Sequence, residues 1–299
     1  MRLMTLNSHS LEGEEEEARF QTFIQGVVRI QPDILALQEV NQTRGGRRAE
    51  EKMAAESGFI SCPSLPGERE IPLKEDNYGL RTAACLKAAG WPCQWTWTGA
   101  KVGYGRYDEG LAIFTRYPIR EIRAFYLTKT RAYENWKTRK ALGITVETKW
   151  GLQKVYCMHL GWWNDPDEPF AGQWNRLEEE ISGEKEEMVW LLGDFNAPAG
   201  RPGESWEMIR SRGWQDTYEL AAKKDEGVTV KGAIDGWREE APAAMRMDYI
   251  WCSRRVLVEK SQVVFNGKEN FGLPAFPPVS DHYGVLAEIS SEEEGGVSK

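Results

Sequence analysis

Histidine occurs only three times in this chain, as His9, His159 and His282, so imidazole chemistry has very few candidates. Other reactive groups gather in similar settings. Asn7 closes RLMTLN, Glu39 closes ILALQE, His159 lies in KVYCMHL, Asp194 and Asn196 belong to MVWLLGDFN, and Asp281 and His282 are adjacent in SDHYG. Carboxylates beside an amide and imidazoles make an oxygen-rich site suited to Mg²⁺ or Mn²⁺. Such ions stabilise charge in phosphoryl transfer and position water. Taken singly, each residue has an ordinary explanation. A glutamate after a buried strand is a solvated loop acid, an Asp-His pair is a turn, and GDFN is a turn capped by its own aspartate. The set in this order is what points to phosphoester hydrolysis. A Ser-His-Asp triad does not compete, because Ser280, Asp281 and His282 are sequence neighbours and no G-x-S-x-G elbow is present.

The elements that must carry these groups follow from the apolar patterning. Residues 2–7 read as a short buried strand. A helix over 11–30 places Phe20, Phe23, Ile24, Val27 and Val28 on one stripe, with Glu14 to Glu17 in its early turns, where negative charge suits the helix dipole. Residues 34–39 form a second buried strand, so the chain opens strand–helix–strand, an α/β signature. Helices are expected over 44–57, 76–89 and 167–181, with a loop carrying three prolines over 59–75. Strands are expected over 93–99, 110–116, 141–148, 154–160, 188–195, 246–252, 256–265 and 283–289. No linker or repeat divides the chain, which reads as one domain over 1–290 followed by a flexible acidic tail, 291–299.

Composition narrows the function classes. The 299 residues carry 46 acidic and 38 basic side chains, a formal charge of −8. Much of that sits in two runs, Glu14 to Glu17 and Glu292 to Glu294, and the remainder is close to neutral. A strongly basic nucleic-acid footprint is absent, so nucleic acid is not the expected partner. The nearest basic cluster is Arg44, Arg47 and Arg48. Five cysteines without a C-x-x-C pair read as reduced cytosolic thiols. No apolar run approaches the ~18–20 residues of a membrane span, and the N-terminus has no signal-peptide pattern. A cytoplasmic protein with no membrane partner is expected.

The ordered series TLN (5–7), LQEVN (37–41), MHLGWW (158–163), GDFNAP (193–198), MDYIW (247–251) and SDHYG (280–284) resembles the endonuclease/exonuclease/phosphatase superfamily. That superfamily includes pancreatic-type deoxyribonucleases, abasic-site endonucleases, neutral sphingomyelinases and inositol polyphosphate phosphatases. The resemblance implies an α/β (α+β) four-layer sandwich, two mixed β-sheets packed face to face and flanked by helices. It implies a Mg²⁺ or Mn²⁺ cofactor held by Glu39, with Asn7 beside it and Asp281 near the metal. Asp194 and Asn196 match the pair that handles the attacking water and the phosphate, and His282 matches the imidazole on the scissile phosphate. Asp248 matches the aspartate that orients His282, His159 the other phosphate-side histidine, Glu109 the acid supporting it, and Arg139 the phosphate-side arginine. For Glu109 and Arg139 the ordinary alternative is a surface ion pair. Either Asp194 or His282 is the base.

The segments GYGRYDEG (103–110), LGWWNDP (160–166), DTYELA (216–221), GVTV (227–230), AIDGW (233–237) and RMDYIW (246–251) resemble the bacterial branch that contains maltose 6'-phosphate phosphatase. They imply a phosphomonoesterase acting on a small phosphorylated sugar, maltose 6'-phosphate first. The alternatives are a nuclease, a sphingomyelinase-like phosphodiesterase and a binding module without catalysis, which would tolerate losses among the site residues. Thirteen tryptophans are present. Trp162, Trp163, Trp174 and Trp237 fall near the motifs; Trp162, Trp163 and Trp237 are candidates for stacking on a sugar, whereas Trp95, Trp97, Trp190 and Trp251 read as core. Tyr104, Asn77 and Asp235 are candidates for sugar hydroxyls. His9 is expected to pack beneath Asn7 or to support it.

Overall fold

Alternation along the strands sorts the apolar residues into layers. In β1 (Arg2–Asn7), Leu3 faces one core while Met4 and Leu6 face another. The structure, a computed structural model, describes residues 1–184, 187–232, 234, 237 and 244–290. The acidic tail expected at 291–299 and the candidate Asp235 lie outside the described residues.

The chain continues through α1 (Glu16–Ile30), β2 (Ile34–Thr43), α2 (Glu51–Glu56), α3 (Tyr78–Ala88), β3 (Gln94–Gly103), β4 (Tyr107–Thr115), β5 (Ile119–Tyr126), β6 (Lys140–Thr148) and β7 (Gly151–His159). After these come α4 (Phe170–Glu180), β8 (Met188–Asp194), α5 (Ser205–Ser211), β9 (Gln215–Asp216), α6 (Thr217–Leu220), β10 (Lys223–Lys224), β11 (Asp248–Cys252), β12 (Val258–Val264) and β13 (Gly284–Ile289). A seven-stranded sheet runs β10-β12-β13-β1-β2-β4-β3, and a six-stranded sheet runs β5-β6-β7-β8-β11-β9. Both are mixed: β1 and β2 are parallel, as are β7 and β8, among mostly antiparallel neighbours.

Three apolar layers make the sandwich. Leu3, Ile34 and Ile113 of one sheet meet Val155, Leu192 and Ile250 of the other in the central layer. Phe20 and Phe23 of α1 and Leu80 of α3 cover the outer face of the seven-stranded sheet against Met4 and Trp95. Phe170 and Trp174 of α4 and Ile209 of α5 cover the six-stranded sheet against Tyr156 and Trp251. Each such buried side chain contributes about 1.5–3 kcal/mol. The four-layer α/β arrangement agrees with the sequence expectation, and no helix among the described residues is long and apolar enough to cross a membrane.

Several boundaries differ for local reasons. The helix expected from residue 11 begins at Glu16, because Leu11, Gly13 and Glu15 adopt positive φ. The helix expected over 44–57 shrinks to α2. Residues before it hydrogen-bond instead to the proline-containing loop, Ala49 N–H to Leu73 O at 2.9 Å and Glu75 N–H to Arg47 O at 2.9 Å. Strand β5 was not expected. It is a half-exposed edge strand, and IREIRAFY shows no clean alternation.

Candidate active site

In the six-stranded sheet the reactive groups are delivered by register alone. Asp194, the last residue of β8, pairs with His159 of β7 on one side and with Asp248 of β11 on the other. All three share the inward face of Val155, Leu192 and Ile250, as strand alternation requires. Gly193 makes this row compact. A Cβ built there would lie 1.9 Å from the Met158 carbonyl oxygen, so no other residue fits without separating the strands. Beyond Asp194 the chain turns sharply through Asn196, at φ 46°, whose N–H donates to Asp194 Oδ1 at 2.8 Å.

The seven-stranded sheet uses bulges. Regular alternation would turn Glu39 toward the helices with Leu35 and Leu37. A register shift between Leu37 and Val40 inserts an extra residue, and Glu39 takes φ 52°. Its carboxylate thereby reaches Asn7, whose Nδ2 donates to Glu39 Oε1 at 2.9 Å and to Asp194 Oδ2 at 3.2 Å. Ser10 Oγ donates to Glu39 O at 2.6 Å and accepts from Asn41 N–H at 2.9 Å, bracing the bulge. A second register shift, between Gly99 and Lys101, turns Lys101 inward, whereas Trp95 and Trp97 point outward. Lys101 then faces Glu109 directly across β3 and β4, with Nζ 3.1 Å from Oε1. Bulges bend strands and re-aim side chains in this way.

These groups line one cleft of about 340 Å³. Glu39, Asn7 and Asp281 meet there with His159, Asp194, Asn196 and His282, as do Glu109, Arg139, Tyr104 and Trp162. Asp248 stands behind His282 and holds its Nδ1 at 3.0 and 3.2 Å. Trp237 is buried behind Asn196, and its indole N–H donates to Asn196 Oδ1 at 2.9 Å. Because that oxygen is taken and Asn196 Nδ2 donates to Leu160 O at 2.9 Å, the second amide hydrogen faces His159 Nε2, 3.3 Å away. The amide orientation is therefore fixed.

Besides Trp237, which is covered by Asn196 and has no face free for a sugar, two candidates are not brought to the cleft. Asn77 is fully buried at the N-terminus of α3, where it accepts from Leu80 N–H at 3.1 Å and donates to Gln42 Oε1 at 3.0 Å. Its amide serves a helix cap. Trp163 packs on Phe170 with ring centroids 6.3 Å apart, in the layer under α4. Trp174 sits on α4 itself, fully buried. Conversely, His9 lies in the cleft wall rather than beneath it, with Nδ1 3.4 Å from Glu39 Oε2 and 3.8 Å from Asp281 Oδ2. Lys101 and Trp136 also line the cleft and had no motif to announce them. The glycine in TWTGAK is the one sequence hint of a bulge ahead of Lys101.

The electrostatics divide the site. Burial pushes Asp194 up to about 7, although the His282 charge pulls the other way. Burial opposes a charge on His282, but Asp248 and Asp194 outweigh it and hold the imidazole protonated well above its usual value. Burial, with the Arg139 charge nearby, holds His159 neutral. For His9, burial is overcome by the neighbouring Glu39 and Asp281 carboxylates, which lift it to about 9. Burial would raise Glu39, yet contact with His9 brings it well below the usual carboxylate range. Burial lowers both Lys101 and Arg139 while Glu109 pulls them back.

The donor set fits a hard divalent cation. Glu39 Oε2 is buried and accepts no hydrogen bond, despite the approach of His9. Asp281, partly exposed, opens onto the same space. Asp194, Asp248 and His282 also place one possible ligand atom each within 4.8 Å of one another. In that trio, however, His282 Nδ1 is already committed to Asp248, so the uncommitted oxygen at Glu39 is the better anchor.

Residues 4–282 match the sequence model described as the Endonuclease/Exonuclease/phosphatase family. No curated protein matches the chain significantly in sequence. Among solved structures, an endonuclease/exonuclease/phosphatase family protein from Leptotrichia buccalis is 26% identical, with 97% of this chain and 100% of that one covered and a TM-score of 0.81. A mannosyl-6-phosphatase from Bacteroides thetaiotaomicron is 18% identical over 97% of this chain and 100% of that one, with a TM-score of 0.62. Truncated TDP2 from Caenorhabditis elegans is 16% identical over 97% of each chain, with a TM-score of 0.58. The last two share the fold.

Proposed function

From the premise that the chain belongs to the endonuclease/exonuclease/phosphatase family, we propose that it is a metal-dependent phosphomonoesterase acting on a small phosphorylated sugar, with maltose 6'-phosphate the first candidate. The observation that carries the reading is Arg139. The residue is 4% exposed, and among the described residues its guanidinium has no ion pair, only the Trp162 ring 5.8 Å away. A buried guanidinium in a cleft wall needs an anion, and its planar fork suits phosphate oxygens.

The geometry supports the following roles. Asp194, with its raised proton affinity, is the base that takes a proton from the attacking water. His282, charged and held by Asp248, is not that base and instead donates to phosphate oxygens, as Arg139 does, while the Asn196 amide holds the His159 ring. Neutral His159 faces the leaving group, and Glu109, expected to support it, pairs with Lys101 instead. A divalent cation held by Glu39, Asp281 and Asn7 would supply Lewis-acid neutralisation of phosphate charge. The rim supports a sugar: Trp136 is 53% and Tyr104 49% exposed, and Trp136 meets Trp162 edge-on at 5.7 Å. The mannosyl-6-phosphatase of the same fold agrees with that choice. Nucleic acid is less well served, because Arg47 is paired with Glu75 at 3.2 Å and Lys137 with Asp165 at 2.9 Å. Five free cysteines fit a cytoplasmic location.

The test is a panel of maltose 6'-phosphate, trehalose 6-phosphate, glucose 6-phosphate, sphingomyelin and plasmid DNA, with and without EDTA. Phosphate release should be fastest from a sugar phosphate, vanish in EDTA and collapse in Glu39→Ala. Fastest cleavage of DNA or sphingomyelin, or full activity in EDTA, overturns the proposal.

A further inference from the structure

Lys101 belongs to none of the motifs that announced the site, yet it is 7% exposed in the cleft wall. The bulge between Gly99 and Lys101 aims it there, opposite Glu109. Two buried cations, Lys101 and Arg139, share this wall, and both feel the Glu109 carboxylate. Only Lys101 is within ion-pair distance of it, at 3.1 Å. Glu39 also acts on both cations, but it is the oxygen donor assigned to the divalent ion, so Glu109 is the carboxylate left to this wall and an excess of one positive charge remains. Gly103 preserves the arrangement: a Cβ there would lie 2.7 Å from Glu109 Oε2 and displace the carboxylate.

Resting on the reading that the cleft binds a phosphate, we propose that Lys101 is a specificity-determining residue that selects the dianion of a phosphomonoester over the monoanion of a phosphodiester. With Lys101 removed, the Glu109 charge would be left to offset Arg139, and the wall would take either ester. The second cation gives the extra negative charge of a terminal phosphate a partner, in a wall where water screens little. A diester offers one charge less and carries an alkyl group on one of the oxygens that a monoester leaves bare, so it leaves the excess positive charge of the wall uncompensated. Without Lys101 the wall is neutral and loses its reason to prefer the dianion. If Lys101 merely neutralised Glu109, its removal would harm both esters alike.

The test compares 4-nitrophenyl phosphate with methyl 4-nitrophenyl phosphate, which share a leaving group and differ by one charge. Lys101→Met should lower kcat/KM for the monoester by about 10- to 100-fold, the loss of one charge-assisted contact, while the diester changes by less than about threefold. Lys101→Arg should restore the preference. Glu109→Gln, which leaves both cations without a carboxylate, should shift the monoester-to-diester ratio the opposite way and serves if Lys101→Met does not fold. Calorimetric binding of inorganic phosphate against dimethyl phosphate, in Mg²⁺, should show the same selectivity without turnover. An unchanged ratio in Lys101→Met, or equal binding of the two ligands by the wild type, overturns the inference. Failure of every sugar in the earlier panel would overturn the sugar reading and leave this ratio standing.

Discussion

The two sheets build their halves of the cleft by opposite means. The six-stranded sheet keeps regular pairing across β7, β8 and β11, and its register shift lies away from the site at the β5 edge, so His159, Asp194 and Asp248 fall into one row. The seven-stranded sheet breaks its pairing on β2 and on β3, as it also does on β12, and holds Glu39 at positive φ, so that Glu39 and Lys101 turn inward. Regular pairing suits groups that must sit side by side, such as His159, Asp194 and Asp248. Bulges suit groups that must reach a ligand, because each re-aims one side chain without moving the strand that carries it. The difference is one of strain. The first half is held by the sheet, the second against it.

The largest expected effect lies in the regular half. Asp194→Asn should cut kcat by about 10²- to 10⁴-fold, the range for losing a general base, measured as phosphate release at saturating Mg²⁺. The same variant tests the charge state. Folding raises Asp194 from 3.8 to about 7, so the folded protein binds this proton more tightly than the unfolded one. Its unfolding free energy therefore falls as pH rises across that interval. In EDTA, melting temperature should drop between about pH 5 and about pH 7 more steeply in the wild type than in Asp194→Asn; parallel curves would show that the carboxyl is not shifted. Gly193→Ala should destabilise by about 3 kcal/mol or more through forced separation of β7 and β8, and a denaturant midpoint within error of wild type would deny the contact. The smallest effect is a reversal of sign. At Glu39, glycine should be more stable than alanine by about 1 kcal/mol, because the left-handed backbone penalises a Cβ. At Asp194, alanine should beat glycine by about 0.5–1 kcal/mol. The same order at both positions would mean that the two halves do not differ in strain.

That division also explains what was legible in the sequence. Strand ends carrying Asn7, His159 and Asp194 could be read from short apolar runs, and the layered fold from their alternation with helices. Asp281 and His282 were found by their adjacency. Lys101 was not, since a bulge moves it across the strand and only the preceding glycine hints at one. Asn77 and Trp163 were misplaced because polarity and aromaticity near a motif say nothing about direction; a helix cap claimed one and the α4 layer the other. Trp237 was close to the mark for another reason. It reaches the site through the amide of Asn196, a contact that no spacing encodes.

The missing side chain of Gly193 has a consequence for descent. A relative acquiring a new substrate would need to change the rim, where Tyr104 and Trp136 are exposed, and these positions are free to drift. The glycine before Asp194 cannot, because its replacement would part the strands before any chemistry was altered. Across diverging lineages it should persist even where the nucleophile-activating residues themselves have been lost, a mark of ancestry rather than of activity.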